Sequence, residues 1–209
     1  MIDHFFTISK IGNGLYKEKG SKFLAFAYPV SDLDAINQKL ETLRKEYHDA
    51  RHHCYAYILG NEAKKYRAND DGEPNHSAGD PILGQIRSFK LTNTLIVVIR
   101  YFGGTKLGVS GLINAYKTAA EEALNNSIVL KQFITAPLHL TYTYSSTNEI
   151  MKLIDTYELK IIEQEFSEKC MLRATVIISR YPSLIDEIQL LIDTGSEINL
   201  VKAPQQNHP

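Results

Sequence analysis

An uninterrupted run of branched apolar residues at positions 95–99 predicts a strand that is buried on both faces. Four glycines follow, at Gly103, Gly104, Gly108 and Gly111, and a helical pattern begins among them. Glycines permit positive φ and bring backbone N–H groups close to a bound group, and the start of a helix attracts anions. This strand, loop and helix therefore predict the surface on which function depends.

The rest of the first 134 residues contains further strand and helix patterns. Strands are predicted at 5–11, 22–30 and 54–59, helices at 33–48, 80–86 and 110–124, and a glycine turn at 12–14. Ser31 is the predicted N-cap of the first helix, and Asp80-Pro81 is the predicted start of the second. Residues 61–80 are polar and predict a long loop, which in a compact domain is usually functional.

A second unit is predicted from Thr135 onward. Its patterns indicate strands at 138–144, 159–166, 170–179 and 198–201 and helices at 150–157 and 184–192. The order βαββαβ is the ferredoxin-like arrangement. The sequence thus predicts an α+β protein with domains at 1–134 and 135–204 and a disordered tail at 205–209.

Composition narrows the class of protein. The chain has 209 residues and a formal net charge of −1, with 17 Lys and Arg against 14 Asp and Glu through Thr135 and 6 against 10 afterwards. A mildly basic first part permits a basic patch, whereas the overall balance argues against a general nucleic-acid binder. Two cysteines, no leader pattern and no apolar run near ~20 residues predict a cytoplasmic protein without a membrane span.

Two sets of residues are candidates for the site. The first is an acidic loop, made of Asp70, Asp71, Gly72, Glu73, Pro74 and His76. The second surrounds the glycines and consists of Arg100, Tyr101, Gly103, Gly104, Lys106, Gly108, Ser110 and Gly111. Either Arg100 and Lys106 bind an anion at the helix start, or Arg100 pairs with Asp71 or Glu73 as a structural tie. The glycine loop matches neither the P-loop nor the G-x-G-x-x-G fingerprint.

His52 and Cys54 are weaker candidates. A Cys-His nucleophile pair would need both side chains on one face of a strand. His52 and Cys54 are two residues apart and can share a face, whereas His53 and Cys54 are adjacent and point to opposite faces. The alternative is that Cys54 is a buried small apolar residue and that His52 ties a helix end to a neighbouring loop. A metal site that uses His52, Cys54 and the acidic loop is a further alternative, but no spacing matches a closed zinc pattern, so no metal is predicted. No cofactor is predicted either.

Several motifs together resemble the YigZ/Impact family. They are Asp70-Asp-Gly-Glu-Pro, Ala78-Gly79, Pro81-Ile-Leu, Leu91-Thr-Asn and Val98-Ile-Arg-Tyr-Phe-Gly-Gly-Thr-Lys-Leu-Gly, with Ser21-Lys-Phe and Cys54-Tyr-Ala-Tyr upstream. The resemblance implies a first domain like ribosomal protein S5 domain 2 and a second like the last domain of elongation factor G. That pairing resembles the end of a translocating elongation factor, which implies a setting in translation, and the family's eukaryotic relatives are translation regulators.

The chain departs from the family pattern inside the acidic loop. His76 stands where the family usually has glycine, so a positive φ there is not expected. Asp80 replaces a lysine, which removes a positive charge from the loop.

The function expected from these residues and the resemblance is a binding or regulatory role. The expected partner is the ribosome, RNA or a translation-regulating protein. The alternative is an enzyme that acts on a phosphorylated or nucleotide ligand at the glycine loop, an analogy with small-molecule kinases of similar fold.

Overall fold

The computed structural model describes residues 2–201, and the chain divides into two compact units. One unit comprises residues 5–132, and the other comprises residues 133–201 with the first few residues of the chain. Strands and helices are mixed in both, so the predicted α+β class is confirmed. Within residues 2–201, every helix is too short or too polar to cross a membrane. The tail predicted at 205–209 lies outside the described residues.

The first unit is built from two sheets and three helices. Its strands are β1 (His4–Lys10), β2 (Gly12–Glu18), β3 (Ser21–Pro29), β4 (His52–Leu59), β5 (Lys65–Asn69), β6 (Thr94–Tyr101) and β7 (Ile128–Phe133). Its helices are α1 (Leu33–Glu46), α2 (Gly79–Ser88) and α3 (Gly108–Asn125). The five-stranded sheet has the order β2-β3-β6-β4-β5, and β1 pairs with β7.

Strand β6 is the centre of this sheet and is buried on both faces, as predicted. Ile96 and Val98 belong to the core formed with α2 and α3, whereas Leu95, Val97 and Ile99 belong to the core formed with α1. Arg100 and Tyr101 are the last two residues of this strand, and the glycine loop follows them directly.

The predicted glycine turn at 12–14 is wrong, because these residues begin β2. Positions 12 and 14 accommodate only glycine, because α3 packs directly on the backbone there. A Cβ on Gly14 would lie 2.6 Å from the carbonyl oxygen of Ala119, and a Cβ on Gly12 would overlap the carbonyl oxygen of Ala123. The turn between β2 and β3 is at Lys19-Gly20, where φ is 45° and 79°. Two positive φ values in succession suit a tight hairpin.

Two strands were missed. Strand β5 lies inside the predicted 61–80 loop, and β7 follows α3 where no element was predicted. Both sequences lack a buried alternating face, since all six positions of β7 are exposed and β5 is exposed at its first three. Hydrophobic periodicity therefore gives no signal for them.

Two predicted helix starts are shifted. Asp32, not Ser31, is the N-cap of α1, and its carboxylate accepts a hydrogen bond from the Ala35 amide at 2.8 Å. Helix α2 begins at Gly79 with Ala78 as N-cap, so Asp80 is already inside the helix.

The second unit has the predicted element order βαββαβ. It consists of β8 (Thr135–Tyr142), a 3-10 turn (Tyr144–Ser146), α4 (Thr147–Tyr157), β9 (Lys160–Glu165), β10 (Cys170–Ile177), α5 (Tyr181–Asp193) and β11 (Ile198–Leu200). The strands pair antiparallel in the order β11-β8-β10-β9. Leu138, Leu140, Leu172 and Ala174 are among the inward residues that form its core with Ile150 of α4 and Leu184 and Ile188 of α5.

Candidate functional site

The acidic loop is held in place by Asp70, which caps α2 from eight residues upstream of its N-cap. One carboxylate oxygen accepts the amides of Ala78 and Gly79 at 2.9 and 2.8 Å, and the other accepts the amide of His76 at 2.9 Å. Burial favours a raised pKa for Asp70, but the donors of Gly79, His76 and Ala78 outweigh it and hold the pKa below its ordinary value. An anion is therefore already present at the start of this helix.

Asp71 joins the loop to the beginning of β4. Its carboxylate accepts the amide of His53 at 2.7 Å, and its carbonyl lies 2.8 Å from Nδ1 of His52. Arg44 of α1 lies 3.5 Å from the other carboxylate oxygen. His52 thus contacts the neighbouring loop as predicted, but from the start of β4 and not from a helix end. Desolvation lowers the pKa of the neighbouring His53.

Glu73 is at the centre of a buried polar chain. One of its carboxylate oxygens accepts from Arg100 at 2.6 Å and from the hydroxyl of Tyr116 at 2.8 Å. Side-chain exposure is 4% for Glu73 and 8% for Arg100. Of the two predicted roles of Arg100, the structure shows the pairing with Glu73. The guanidinium also lies 5.6 Å from the ring centres of Phe23 and Phe102.

Cys54 extends the same chain into the core. Its thiol is 2.9 Å from the carbonyl of Asp70 and 3.3 Å from the hydroxyl of Tyr116, and the side chain is fully buried. Burial raises the pKa of Cys54, so the thiolate is disfavoured. In residues 2–201, no three His, Cys, Asp or Glu side chains are grouped in a way that could hold a metal ion.

The expectation about His76 is wrong. Its φ is 64°, next to a loop in which Asp71 and Gly72 also have positive φ of 41° and 86°. The Asp70 carboxylate accepts the His76 amide, and the ring lies 2.6 Å from Asp80, so local contacts hold this residue in a conformation that glycine adopts more readily. The strain is thus located in the loop that covers the site.

The glycines of the second set have different tasks. Gly103 packs against Gly20 so closely that a Cβ would overlap its backbone, while its amide donates to the Ser21 hydroxyl at 3.1 Å. Gly104 and Gly108 have φ of 87° and 73° and open space around them. Close backbone approach therefore explains why position 103 is glycine, and positive φ explains why positions 104 and 108 are glycine.

A cleft of about 910 Å³ opens beside these residues. From the predicted sets it is lined by His52, Glu73, Pro74, Arg100, Tyr101, Lys106 and Gly108, and other lining residues are Asp49, Ala50, Arg51, Phe102, Leu107, Val109 and Leu112. Asp70, Asp71 and His76 do not line the cleft, and their contacts stabilise the acidic loop. Gly103, Gly104, Ser110 and Gly111 belong to the adjoining loop and first turn of α3 and do not line the cleft.

The accessible part of the cleft combines cations with an apolar rim. Glu73 and Arg100 are bound to each other, which leaves Arg51 and Lys106 as the exposed cations, and Phe102 and Val109 are 58% and 53% exposed. The carboxylate of Asp49 accepts from Tyr101 at 2.7 Å, and this bond raises the pKa of Tyr101 to about 12. The site therefore presents a surface suited to an anionic group with an apolar neighbour.

Four contributors were missed by sequence reasoning. Asp49 and Arg51 lie in the turn before β4, Phe102 is part of a family motif only, and Tyr116 falls within the predicted helix at 110–124. Helical spacing does place Tyr116 on the buried face of α3, but nothing in the spacing indicates that its hydroxyl reaches Glu73, 43 residues away.

Comparisons with known proteins point to one family. A family model for the Impact N-terminal domain matches residues 19–124, which is half of the chain. The IMPACT family member YvyE of Bacillus subtilis is 32% identical over 168 residues, covering 80% of this chain and 77% of that protein. The IMPACT family member YigZ of Escherichia coli is 30% identical over 160 residues, covering 76% and 78%.

A solved structure shows the same fold. A crystal structure of a hypothetical protein matches 99% of this chain and 100% of that chain with a TM-score of 0.69 and 24% sequence identity. The domain match and the two relatives, each similar over most of its length, identify the chain as a member of the IMPACT family.

Proposed function

We propose that this chain is a cytoplasmic binding or regulatory protein connected with translation, and that the cleft beside α3 receives its partner. The observation that carries the proposal is the buried chain from Arg100 through Glu73 and Tyr116 to Cys54. The thiol is buried and one oxygen of the Glu73 carboxylate accepts two hydrogen bonds, so this chain fixes the shape of the cleft and leaves Cys54 unavailable as a nucleophile. The translation setting comes from the family resemblance.

Charge supports an anionic partner. With Glu73 and Arg100 neutralising each other, the exposed cations Arg51 and Lys106 outnumber Asp49, the exposed carboxylate of the lining, and Phe102 adds an exposed aromatic ring. Ribosomal RNA offers both phosphate and base faces, which such a surface matches. Of the three predicted partners, the ribosome and free RNA both offer these groups, and we propose the ribosome because the family resemblance implies a setting in translation.

A second candidate function is an enzyme that acts on a phosphorylated or nucleotide ligand. A cleft of about 910 Å³ is within the size range of small-molecule sites. Lys106 and the first residues of α3 line it together, which is where a phosphate group would bind. Cys54 is not its nucleophile, because the thiol is buried and its pKa is raised.

The two-domain assignment accompanies this proposal. Residues 1–134 are proposed as a domain like ribosomal protein S5 domain 2, and residues 135–204 as a ferredoxin-like domain. The compact units at 5–132 and 133–201 support the boundary. The antiparallel order β11-β8-β10-β9 supports the ferredoxin-like assignment. In this order the first and third strands of the unit, β8 and β10, are central, and the second and fourth, β9 and β11, are at the edges.

Co-sedimentation with purified ribosomes tests the proposal. Wild-type protein is expected to pellet with ribosomes at low salt and to be released as the salt concentration rises. Arg51→Glu with Lys106→Glu is expected to remain in the supernatant, and Lys152→Glu with Lys160→Glu, an equal charge change in the second unit, is expected to pellet. Failure of the wild type to pellet, with calorimetric binding and turnover of a nucleotide, would instead establish the enzyme.

A further inference from the structure

The outer edge of the five-stranded sheet carries a second charged surface, away from the residues that line the cleft. Strand β5 is the terminal strand of the order β2-β3-β6-β4-β5, so in the described residues one of its two edges has no partner strand. Lys65, Tyr66 and Arg67 are its three exposed residues. An unpaired strand edge offers a row of backbone N–H and C=O groups to another extended chain.

The register of β5 places its cations on a defined face. Lys65 pairs with Leu59 and Arg67 with Tyr57, and both partners belong to the core on the α1 side of the sheet. Tyr66 pairs with Ile58, which belongs to the opposite core. Lys65 and Arg67 therefore project on one face at a spacing of two residues, and Tyr66 projects on the other.

The Tyr66 face is also positive. The guanidinium of Arg87, at the end of α2, lies 4.6 Å from the centre of the Tyr66 ring, and the tyrosine is 54% exposed. No carboxylate in residues 2–201 pairs with Lys65, Arg67 or Arg87, whereas Lys64 next to them is already bound to Glu62 at 2.6 Å. Both faces of this edge thus carry positive charge without a compensating acid.

We propose that the β5 edge binds an extended acidic peptide segment, which adds to the sheet as a sixth strand. Backbone pairing supplies the alignment, and acidic residues at alternate positions lie opposite Lys65 and Arg67. The residues between them lie on the other face, beside Tyr66 and Arg87.

Charge complementarity distinguishes this occupant from two others. A second copy of the chain paired through the same edge would set Lys65 and Arg67 against each other, and like charges directly opposite destabilise a strand pair. Single-stranded nucleic acid gains much of its affinity from base stacking, but one face of Tyr66 is occupied by Arg87. An acidic strand can form hydrogen bonds with the backbone of the β5 edge and charge pairs with Lys65 and Arg67 at the same time.

Fluorescence anisotropy with a labelled peptide of alternating glutamate and valine tests the proposal. Wild-type protein is expected to bind it, and Lys65→Glu with Arg67→Glu is expected to bind about tenfold more weakly, since two favourable charge pairs become repulsive. Lys152→Glu with Lys160→Glu is the matched control and is expected to bind as the wild type does. Thermal melts of each variant show whether the fold is retained.

Two further probes separate strand addition from simple charge attraction. The same peptide with an N-methyl group on every backbone amide has both strand edges blocked and is expected to lose binding. Equal binding of the methylated peptide, no loss in the charge-reversed variant, or no binding by the wild type would each overturn the proposal. Tighter binding of oligouridylate through Lys65 and Arg67 would also overturn it, in favour of nucleic acid.

Discussion

Arg100 and Glu73 form an ion pair of 2.6 Å in which both side chains are buried. Arg100 comes from the end of the central strand β6, and Glu73 comes from the acidic loop, so the pair fixes the loop to the sheet. Tyr116 of α3 donates to the same carboxylate oxygen at 2.8 Å. Strand, loop and helix therefore meet at one carboxylate, and the cleft is built around that junction.

Removing either charge of this pair should destabilise the first unit. Glu73→Gln leaves Arg100 buried with its charge uncompensated, and a loss of about 3 kcal/mol in the free energy of unfolding is expected. The loop at 70–79 should also become sensitive to protease. Urea unfolding and limited proteolysis measure the two effects.

The exposed pair of Arg173 and Glu163, 3.0 Å apart in the second unit, provides the control. Glu163→Gln should cost less than about 1 kcal/mol, because an exposed ion pair contributes little. Equal losses in the two variants would contradict a structural role for the buried pair.

Asp70 should stabilise the protein in a pH-dependent way. Its carboxylate accepts three amides at the start of α2, and its pKa is lowered. A lowered pKa in the folded state means that the contribution is present above the unfolded value of about 3.9 and is lost as the pH falls through the folded value. Asp70→Asn should therefore cost about 1 kcal/mol at pH 7 and little in strong acid.

Thermal unfolding of both proteins from pH 7 to pH 2 measures this difference. Asp155→Asn, at an exposed carboxylate of α4, is the control and should show a small difference that changes little with pH. A gap between wild type and Asp70→Asn that grows toward acid would refute the capping role.

The candidate site illustrates what sequence can predict here. The buried strand at 95–99 was predicted because its apolar run has no interruption, and the pairing of Arg100 was one of two alternatives because loop and strand end bring acids and a base together. Tyr116 falls within the helix predicted at 110–124. Its bond to Glu73 depends on how α3 lies against the loop, which local patterns do not encode.

The errors have equally specific causes. Gly12 and Gly14 have the composition of a turn, yet they serve the contact with α3, which only the fold determines. The α2 cap was assigned to Asp80 because local rules look one residue ahead of a helix, whereas the actual carboxylate is Asp70. His76 adopts positive φ because the contacts of its amide and ring outweigh its intrinsic preference.

Cys54 should be protected from thiol reagents in the native state. In a Cys170→Ala background it is the remaining thiol, and its burial and raised pKa predict labelling that is far slower in buffer than in denaturant. Ellman's reagent measures both rates. Fast native labelling would restore the nucleophile interpretation that the buried network disfavours.

Two adjacent glycines should respond differently to alanine. Gly103→Ala places a methyl group into the backbone of Gly20 and should cost about 2–3 kcal/mol or more. Gly104→Ala meets nothing within 4 Å but has φ of 87°, so a cost of about 1–2 kcal/mol is expected from conformation alone. Denaturant unfolding compares them, and a smaller cost at Gly103 would contradict the close packing of this loop.

The most direct test of the binding proposal is the affinity of Lys106→Ala and Arg51→Ala for purified ribosomes, measured together with their unfolding free energies. Both side chains are exposed in the cleft, so each variant should lose about 1 kcal/mol of binding energy while its stability stays within about 0.5 kcal/mol of the wild type. Unchanged ribosome affinity in the double variant, or no ribosome binding by the wild type, would contradict the account.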